Sequence, residues 1–516
     1  MSFRTLGYTA AVATLLVTAG CSASSTPPGS AAAAQPATPA PSSPAAPSPT
    51  VAPIPSTRPN IVFVLVDDLS MNLVQYMPNV RKLQQDGTTF TNYTVTDSLC
   101  CPSRASLLKG QFPHNTGIVK NHGSDGGFLL FHSRDQERST FGTDLQGAGY
   151  RTAFLGKYLN EYQPGIRMGG PGPYVPPGWD QWFVGGNAYP NFDYKLNENG
   201  RVVEYGSKPK DYLTDVLSAK AADFITTTAA SGKPFMIEVS TYAPHHPYTP
   251  APRDADLFPG LKAPRTAAYD RVPENSVWLA GAKQKLTKAQ KQRLDEEFRL
   301  RAQSVQSVDR MIGNLRSTLV KAGVADRTMV VFSSDNGYHM GEYTLPSGKQ
   351  TAFDTDVNVP LVVAGPGVPA GSSRPQMVAN IDLRPTFADW AGLPAPTEVD
   401  GHSLTPLLSR TEPAEWRHAT LIEHHDPATD PKDPDFTKDS ANIPPSYDAL
   451  RTGTFTYIEY VNGAVEYFDR TTDPDMLKNV AGTLSRERLL ELRTAVRGLA
   501  TCVGADACWA ASRAVS

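Results

Sequence analysis

The run Cys100-Cys101-Pro102-Ser103-Arg104 concentrates more reactive chemistry than any other stretch of the chain. A short helical run, Ala105 to Lys109, follows it and closes at Gly110. Pro102 suits the first helical position because it lacks the N–H that would be orphaned there. Cys100 then stands just ahead of a helix N-terminus, where unpaired backbone N–H groups and the positive end of the dipole favour an anion. Arg104 adds a fixed positive charge one turn on. The functional reading is a reactive side chain in an anion-attracting setting. The plainer reading is a half-buried structural thiol before a helix.

The elements that must position such a group recur along the chain. Ile61 to Val66 is a continuous apolar strand that stops at Asp67-Asp68, and Thr328 to Phe332 runs into Ser333-Ser334-Asp335-Asn336-Gly337. Arg151 to Leu155 leads to Gly156-Lys157-Tyr158, and Phe235 to Val239 leads to Ala243-Pro244-His245-His246-Pro247. Short apolar runs separated by helical segments predict an α/β sheet buried on both faces. Ligands of such sheets bind beyond the carboxyl ends of the strands. One Asp-Asp pair after a strand is usually a turn or a cap, but these strands all deliver polar side chains at that end and together predict a site. Asp67, Asp68, Asp335 and Asn336 offer oxygen donors, suited to a hard divalent cation such as Ca2+ or Mg2+ rather than zinc. Arg104, Lys157, His245 and Lys349 supply cationic groups that stabilise negative charge developing in a transition state.

From about Arg58 to about Leu408 the chain resembles the sulfatase family of the alkaline-phosphatase-like superfamily. The subgroup it resembles most comprises the N-acetylglucosamine-6-sulfatases and the extracellular heparan 6-O-endosulfatases. The resemblance is carried by Cys100 to Ser106, which contains C-x-P-S-R, and by Gly156 to Tyr162, Val175 to Trp179 and Ser334 to His339. Val378 to Leu383 and Asp400-Gly401 extend it in the family's order. The resemblance implies an α/β fold of alkaline-phosphatase type, a large central mostly parallel sheet flanked by helices over residues 58–410. Residues 411–516 would form a small C-terminal antiparallel-sheet subdomain. Carried over position by position, Asp67, Asp68, Asp335 and Asn336 would hold calcium. Cys100, facing that metal, would be oxidised after translation to formylglycine (3-oxoalanine), so a formylglycine-generating enzyme is the implied maturation partner. Arg104 would fix the aldehyde hydrate and the metal, and Lys157, His245 and Lys349 would bind sulfate and serve the leaving group. The implied activity is hydrolysis of sulfate esters, with 6-O-sulfated N-acetylglucosamine of glycans as the indicated substrate. Two readings compete with it: a formylglycine-dependent phosphodiesterase or phosphonate monoester hydrolase, and an unmatured lipoprotein that only binds sulfated glycans.

The chain departs from the family in two places. Many sulfatases carry a histidine two residues after the lysine of the Gly-Lys motif, and here that position is Leu159. The base that breaks down the sulfated enzyme must then come from elsewhere, with His245, His339 and His114 as candidates. Lys109 also replaces the threonine usual before the glycine that ends the signature, a position that assists maturation.

The chain has 516 residues with 40% hydrophobic content, enough for a substantial core. Lys+Arg 48 against Asp+Glu 51 gives a net charge of -3. No charge block points to nucleic acid, so any anion specificity is local. Residues 1–21 read as a signal peptide: Arg4 precedes an apolar run from Tyr8 to Val17 that is too short to span a bilayer. Small residues immediately before a cysteine resemble a lipobox, which would make Cys21 a lipidated anchor of an exported protein. Thr18 stands where that motif usually has Leu, and ordinary cleavage nearby is the alternative. Residues 22–57 are almost wholly Ala, Pro, Ser and Thr and predict a disordered tether. Cys502 and Cys508 are expected to pair as a disulfide in an exported protein, against the alternative of free thiols.

Phe298, Val305, Val308, Ile312, Leu315 and Leu319 repeat at helical spacing and predict a core-facing helix ending at Gly323. Trp179, Trp182 and Phe183 lie in an irregular stretch and either stack on a sugar or pack under a loop. Residues 250–276 are expected at the pocket rim. Tyr457 to Val461, Asn462-Gly463 and Ala464 to Phe468 predict a hairpin with a type I′ turn. Asp469 to Asn479 resembles the segment that closes the small sheet of sulfatases, and Arg486 to Leu499 predicts the last helix.

Overall fold

The computed structural model describes residues 58–279, 285–426, 431, 433, 435, 436 and 442–515. The expected signal peptide, Cys21 anchor and tether lie outside the described residues. A ten-stranded sheet runs in the order Ser372–Arg374, Thr88–Phe90, Leu361–Ala364, Thr328–Ser334, Asn60–Val66, Phe235–Ser240, Arg151–Lys157, Gln181–Gly185, Tyr194–Glu198, Arg201–Tyr205. The strands from Thr328–Ser334 through Gln181–Gly185 are mutually parallel, and antiparallel pairs close the sheet on both sides.

Alternation along Asn60–Val66 explains the layers. Ile61, Phe63 and Leu65 join one buried cluster with Leu107, Leu108, Phe141 and Phe387. Val62, Val64 and Val66 join the other, against helices Leu213–Ala230 and Lys288–Lys321. Because successive side chains point to opposite faces, a strand apolar throughout needs helices on both sides. The Lys288–Lys321 helix buries the predicted apolar positions and ends at Ala322, with Gly323 in the left-handed region at φ 68°.

Register gathers the site. Val66 pairs with Ser334, Leu65 with both Ser333 and Ser240, and Gly156 with Ser240. Parallel strands in this register all end at one edge, so the residues that follow them meet there whatever their separation in sequence. Gly156 carries φ 97°, and a side chain there would run into the Ser240 carbonyl oxygen. Glycine therefore lets the Lys157 strand lie tight against its neighbour.

An antiparallel four-stranded sheet, Ala419–His424, Tyr447–Thr452, Phe455–Tyr460 and Val465–Asp469, carries the C-terminal region. One face packs Leu421, Leu450 and Tyr457 on Leu492, Val496 and Leu499 of helix Arg486–Ala500. The other face adds Ile422, Ala449 and Ile458 to the main core. Cys502 and Cys508 are joined by a disulfide.

Several local expectations change. The signature helix spans Cys100–Lys109, so Cys100 is its first residue and Pro102 its third; proline is tolerated throughout the first turn, whose N–H groups have no intrahelical partner. Only Gly463 of the Asn462-Gly463 pair has positive φ, and the Gly463 N–H donates to the Tyr460 carbonyl. The hairpin therefore uses a three-residue loop with a left-handed glycine instead of a type I′ turn. A further helix, Ala505–Arg513, follows Arg486–Ala500 and carries Cys508. Trp182 lies in strand Gln181–Gly185 and, with Trp179, packs edge-on and tilted against Phe154, Tyr158 and Tyr162. Both tryptophans are buried core residues, which excludes sugar stacking. Phe183 is half-buried beneath the Lys220 ammonium.

Candidate active site

The signature helix buries every residue from Cys100 to Lys109, and its first turn points into the edge where the parallel strands end. The Cys100 sulfur lies 2.9 Å from Lys349 Nζ, 3.4 Å from Asp67 Oδ1 and 3.7 Å from Asp435 Oδ2. Lys157 Nζ donates to Asp67 Oδ2 at 2.7 Å, and Lys349 Nζ donates to Asp68 Oδ1 at 2.7 Å. Arg104 Nε donates to Asp335 Oδ2 at 2.8 Å, while its Nη1 holds the Lys157 carbonyl and Ser240 Oγ. His245 Nε2 stands 3.7 Å from Asp68 Oδ2 and 3.5 Å from Asp435 Oδ1. Asp435 is half-buried, and every other one of these groups is buried.

Fixed carboxylates and cations set each other's protonation. Burial alone would raise the Asp67 carboxyl, but Lys157, His245 and Arg104 outweigh it and hold the group well below the usual range. Burial opposes the charged forms of Lys157 and Lys349; Asp67 and the Asp435–Asp68 pair, respectively, keep both ammoniums protonated. His245 is raised against its burial by Asp68 and Asp67. Burial lifts Asp335 to about 6 despite Arg104. Asp335 accepts from Arg104 and from the backbone N–H groups of Asp68 and Asn336, so it is a carboxylate at neutral pH. Burial pushes the Cys100 thiol well above its ordinary value even beside Lys157 and Lys349. The encoded thiol is therefore a poor thiolate nucleophile.

The oxygen donors fit a hard cation. Asp68 Oδ2 and Asn336 Oδ1 are buried with no hydrogen-bond partner among the described residues, an arrangement that is costly in protein alone. Oxygen, nitrogen and sulfur atoms of Asp67, Asp68, Cys100 and His245 converge within 4.8 Å of one another, and Asn336 Nδ2 lies 2.6 Å from Asp68 Oδ1. Sequence reasoning had not grouped His245 with these donors. Asp68 adopts φ 61°, a left-handed conformation that Asp tolerates, which turns its carboxylate back over the strand end.

All of Asp67, Asp68, Cys100, Arg104, Lys157, His245, Asp335, Asn336 and Lys349 meet here. His339 lines the adjoining cavity of about 400 Å³ together with Lys349, Tyr248, Tyr338 and Asp435. His114 does not belong to the site: its ring is bonded to Glu423 and to the Cys502 carbonyl. Leu159 is buried in the core, and Lys109 donates to the Ser139 carbonyl. Residues 250–276 do not line the cavity; among the described residues its walls come from Gln290 to Glu297, from 346–350 and from Asp435, Phe436, Asn442 and Ile443.

Two groups escaped the sequence reading. Asp435 reaches in from the C-terminal region, with Lys349 Nζ at 3.0 Å and Asn121 Nδ2 at 2.9 Å from its carboxylate. Its Asp-Pro-rich surroundings carry none of the strand-end patterns that mark the other site residues. Arg301, buried at mid-helix, bonds the carbonyls of Asp68 and Pro244 and so ties two strand ends together. Its neighbours in the amphipathic pattern mark only a helix.

Glu238 carries a separate consequence for stability. Burial raises its carboxyl to about 8 from 4.5, with Arg104 opposing. The folded state thus binds a proton that the unfolded state has lost, and stability falls as pH rises between those values. Glu238→Gln is expected to be more stable than the parent at pH 7, by on the order of 3 kcal/mol. The gain should vanish near pH 4.5. Denaturant midpoints at the two pH values measure it, and equal midpoints at pH 7 would refute the buried neutral acid.

The comparisons agree with this geometry. The Sulfatase family model matches residues 59–393, and the model for the C-terminal region of N-sulphoglucosamine sulphohydrolase matches 341–497. N-acetylglucosamine-6-sulfatase of Homo sapiens is 34% identical over 473 residues, covering 87% of this chain and 85% of its own. N-acetylglucosamine-6-O-sulfatase of Bacteroides thetaiotaomicron is 26% identical, covering 82% and 83%. A structure solved with its substrate D-glucosamine-2-N,6-O-disulfate shares the fold at a TM-score of 0.69 and 24% identity, covering 86% and 97%. The phosphonate monoester hydrolase of Silicibacter pomeroyi shares it at 0.65 and 21%, covering 85% and 94%. With the family model spanning most of the chain and relatives above 30% identity along nearly its whole length, the chain belongs to the sulfatase family and is a sulfatase close to the N-acetylglucosamine-6-sulfatases.

Proposed function

We propose that this sulfatase acts on 6-O-sulfated N-acetylglucosamine through a formylglycine made from Cys100, with a calcium ion beside it. The observation that carries the reading is the setting of residue 100: a buried helix N-terminus with Lys349 at 2.9 Å, inside a ring of carboxylates and cations. A thiol held neutral there has little use, whereas an aldehyde hydrate supplies an oxygen nucleophile for sulfur. Asp67, Asp68, Asp335 and Asn336 would hold the calcium, which would supply positive charge for the sulfate oxygens. Magnesium fits the donor types but demands stricter octahedral geometry.

Around that centre the chain's own side chains bind and move protons. Lys157 and Lys349 meet the sulfate charge, and their action is worth most where charge grows in the transition state. Arg104 holds Asp335 and the strand ends in place. His245, biased toward its protonated form by Asp68 and Asp67, suits protonation of the leaving alcohol. With His114 tied to Glu423 and Leu159 in the core, His339 is the base we assign to the second half of the reaction. Export as a Cys21 lipoprotein and maturation by a formylglycine-generating enzyme complete the proposal. A relative from Drosophila melanogaster is named an extracellular sulfatase, which supports export. Among the described residues no helix is long and apolar enough to cross a membrane.

Rates on N-acetylglucosamine 6-sulfate, an aryl sulfate and phenylphosphonate test the substrate. The proposal expects kcat/KM highest for the sugar sulfate. A preference for phenylphosphonate, whose hydrolases share this fold, would overturn it.

A further inference from the structure

The ring of His339 is gripped at one nitrogen only. Its Nδ1 lies 3.0 and 2.9 Å from the two carboxylate oxygens of Asp356, and both side chains are buried. Asp356 is itself held: Thr351 donates to Oδ2 from its backbone N–H at 3.0 Å and from its hydroxyl at 2.7 Å. The backbone adds a second constraint, since His339 pairs with Gly348 next to Lys349. No hydrogen bond to protein reaches Nε2 among the described residues. A Cβ on residue 348 would come within 3.1 Å of that atom, so glycine leaves the space beside it free.

We infer that Asp356 is a positioning residue that fixes the Nδ1–H tautomer of His339 and leaves Nε2 bare toward the cavity as a proton acceptor. A carboxylate has only acceptors, so the ring nitrogen facing it must carry the proton. The neutral ring then presents its lone pair at Nε2. A proton taken there from a hydroxyl in the cavity leaves an imidazolium whose Nδ1–H still rests on Asp356, and it passes later to water. The same division of labour operates wherever an aspartate orients a catalytic histidine. The inference rests on the proposed sulfatase mechanism and deepens it.

The test uses the full-length matured enzyme with Asp356→Asn, His339→Gln and the double variant, assayed on N-acetylglucosamine 6-sulfate. Asp356→Asn should lower kcat about a hundredfold with KM little changed, because an amide no longer dictates the tautomer. Combined with His339→Gln it should cost nothing more than His339→Gln alone. Multiplied losses, or a change confined to KM, would overturn the assignment. ¹⁵N spectra of histidine-labelled parent enzyme give a reading that needs no variant to fold, the His339 signal being assigned by its loss in His339→Gln. A protonated Nδ1 with a bare Nε2 is expected, and the opposite tautomer overturns the inference. Full activity of His339→Gln would instead refute the base role of His339 in the underlying mechanism, while the spectrum would still judge Asp356.

Discussion

Cys100→Ala is expected to eliminate sulfate ester hydrolysis, by at least about 10⁴-fold, while leaving the protein folded. The sulfur is the only part removed. Lys349 keeps Asp68 and Asp435, and Asp67 keeps Lys157, so no buried charge is stranded. Cys101→Ala is the matched control. That side chain faces the core cluster with Phe128 and Tyr158, not the charged ring. Its loss should cost about 1 kcal/mol of stability and little activity. Circular dichroism and thermal melts of both variants, beside their turnover, separate the outcomes. If Cys101→Ala is the inactive variant, the signature has been placed one residue out.

Asp335→Ala has the second large effect, on three readouts at once. Its carboxylate receives Arg104 Nε and the N–H groups of Asp68 and Asn336, which are themselves proposed as calcium ligands. Deleting it should release bound calcium and abolish turnover, because the dication loses charge and its neighbours lose their orientation. Among the described residues, Arg104 would be left buried with Asp67, at 3.9 Å, as its remaining ion-pair partner. Breaking a buried pair in this way costs about 3–5 kcal/mol. Metal analysis, activity and melting should therefore fall together, and a calcium-selective chelator should reduce the parent activity. Stoichiometric zinc in the purified protein would count against the oxygen-donor site.

What could be read from sequence was what strands do. Apolar runs ending in Asp67-Asp68, Asp335-Asn336, Lys157 and His245 converge because parallel pairing puts every such end on one edge. Pattern and spacing suffice to see that. The antiparallel strand Leu361–Ala364 and the short strand Gln181–Gly185 were less visible, being brief and set among glycines and prolines. Asp435 was invisible for a different reason. A lone acidic residue in a polar loop looks solvated until a fold built from distant segments sets it against Lys349. Asp356 was similarly hidden, since Asp-Thr-Asp before Val357 reads as a helix start, and its partner His339 lies seventeen residues away. Turn type failed at Asn462-Gly463 because the dipeptide favours two loop geometries and the strand register chooses between them.

The central claim is that residue 100 acts as formylglycine within this charged ring. Mass analysis of the peptide containing Cys100, from protein co-expressed with a formylglycine-generating enzyme and shown to hydrolyse a sulfate ester, tests it most directly. The account predicts a peptide lighter by the difference between a thiol side chain and an aldehyde, with the converted fraction tracking specific activity. An intact thiol at position 100 in fully active protein would contradict it.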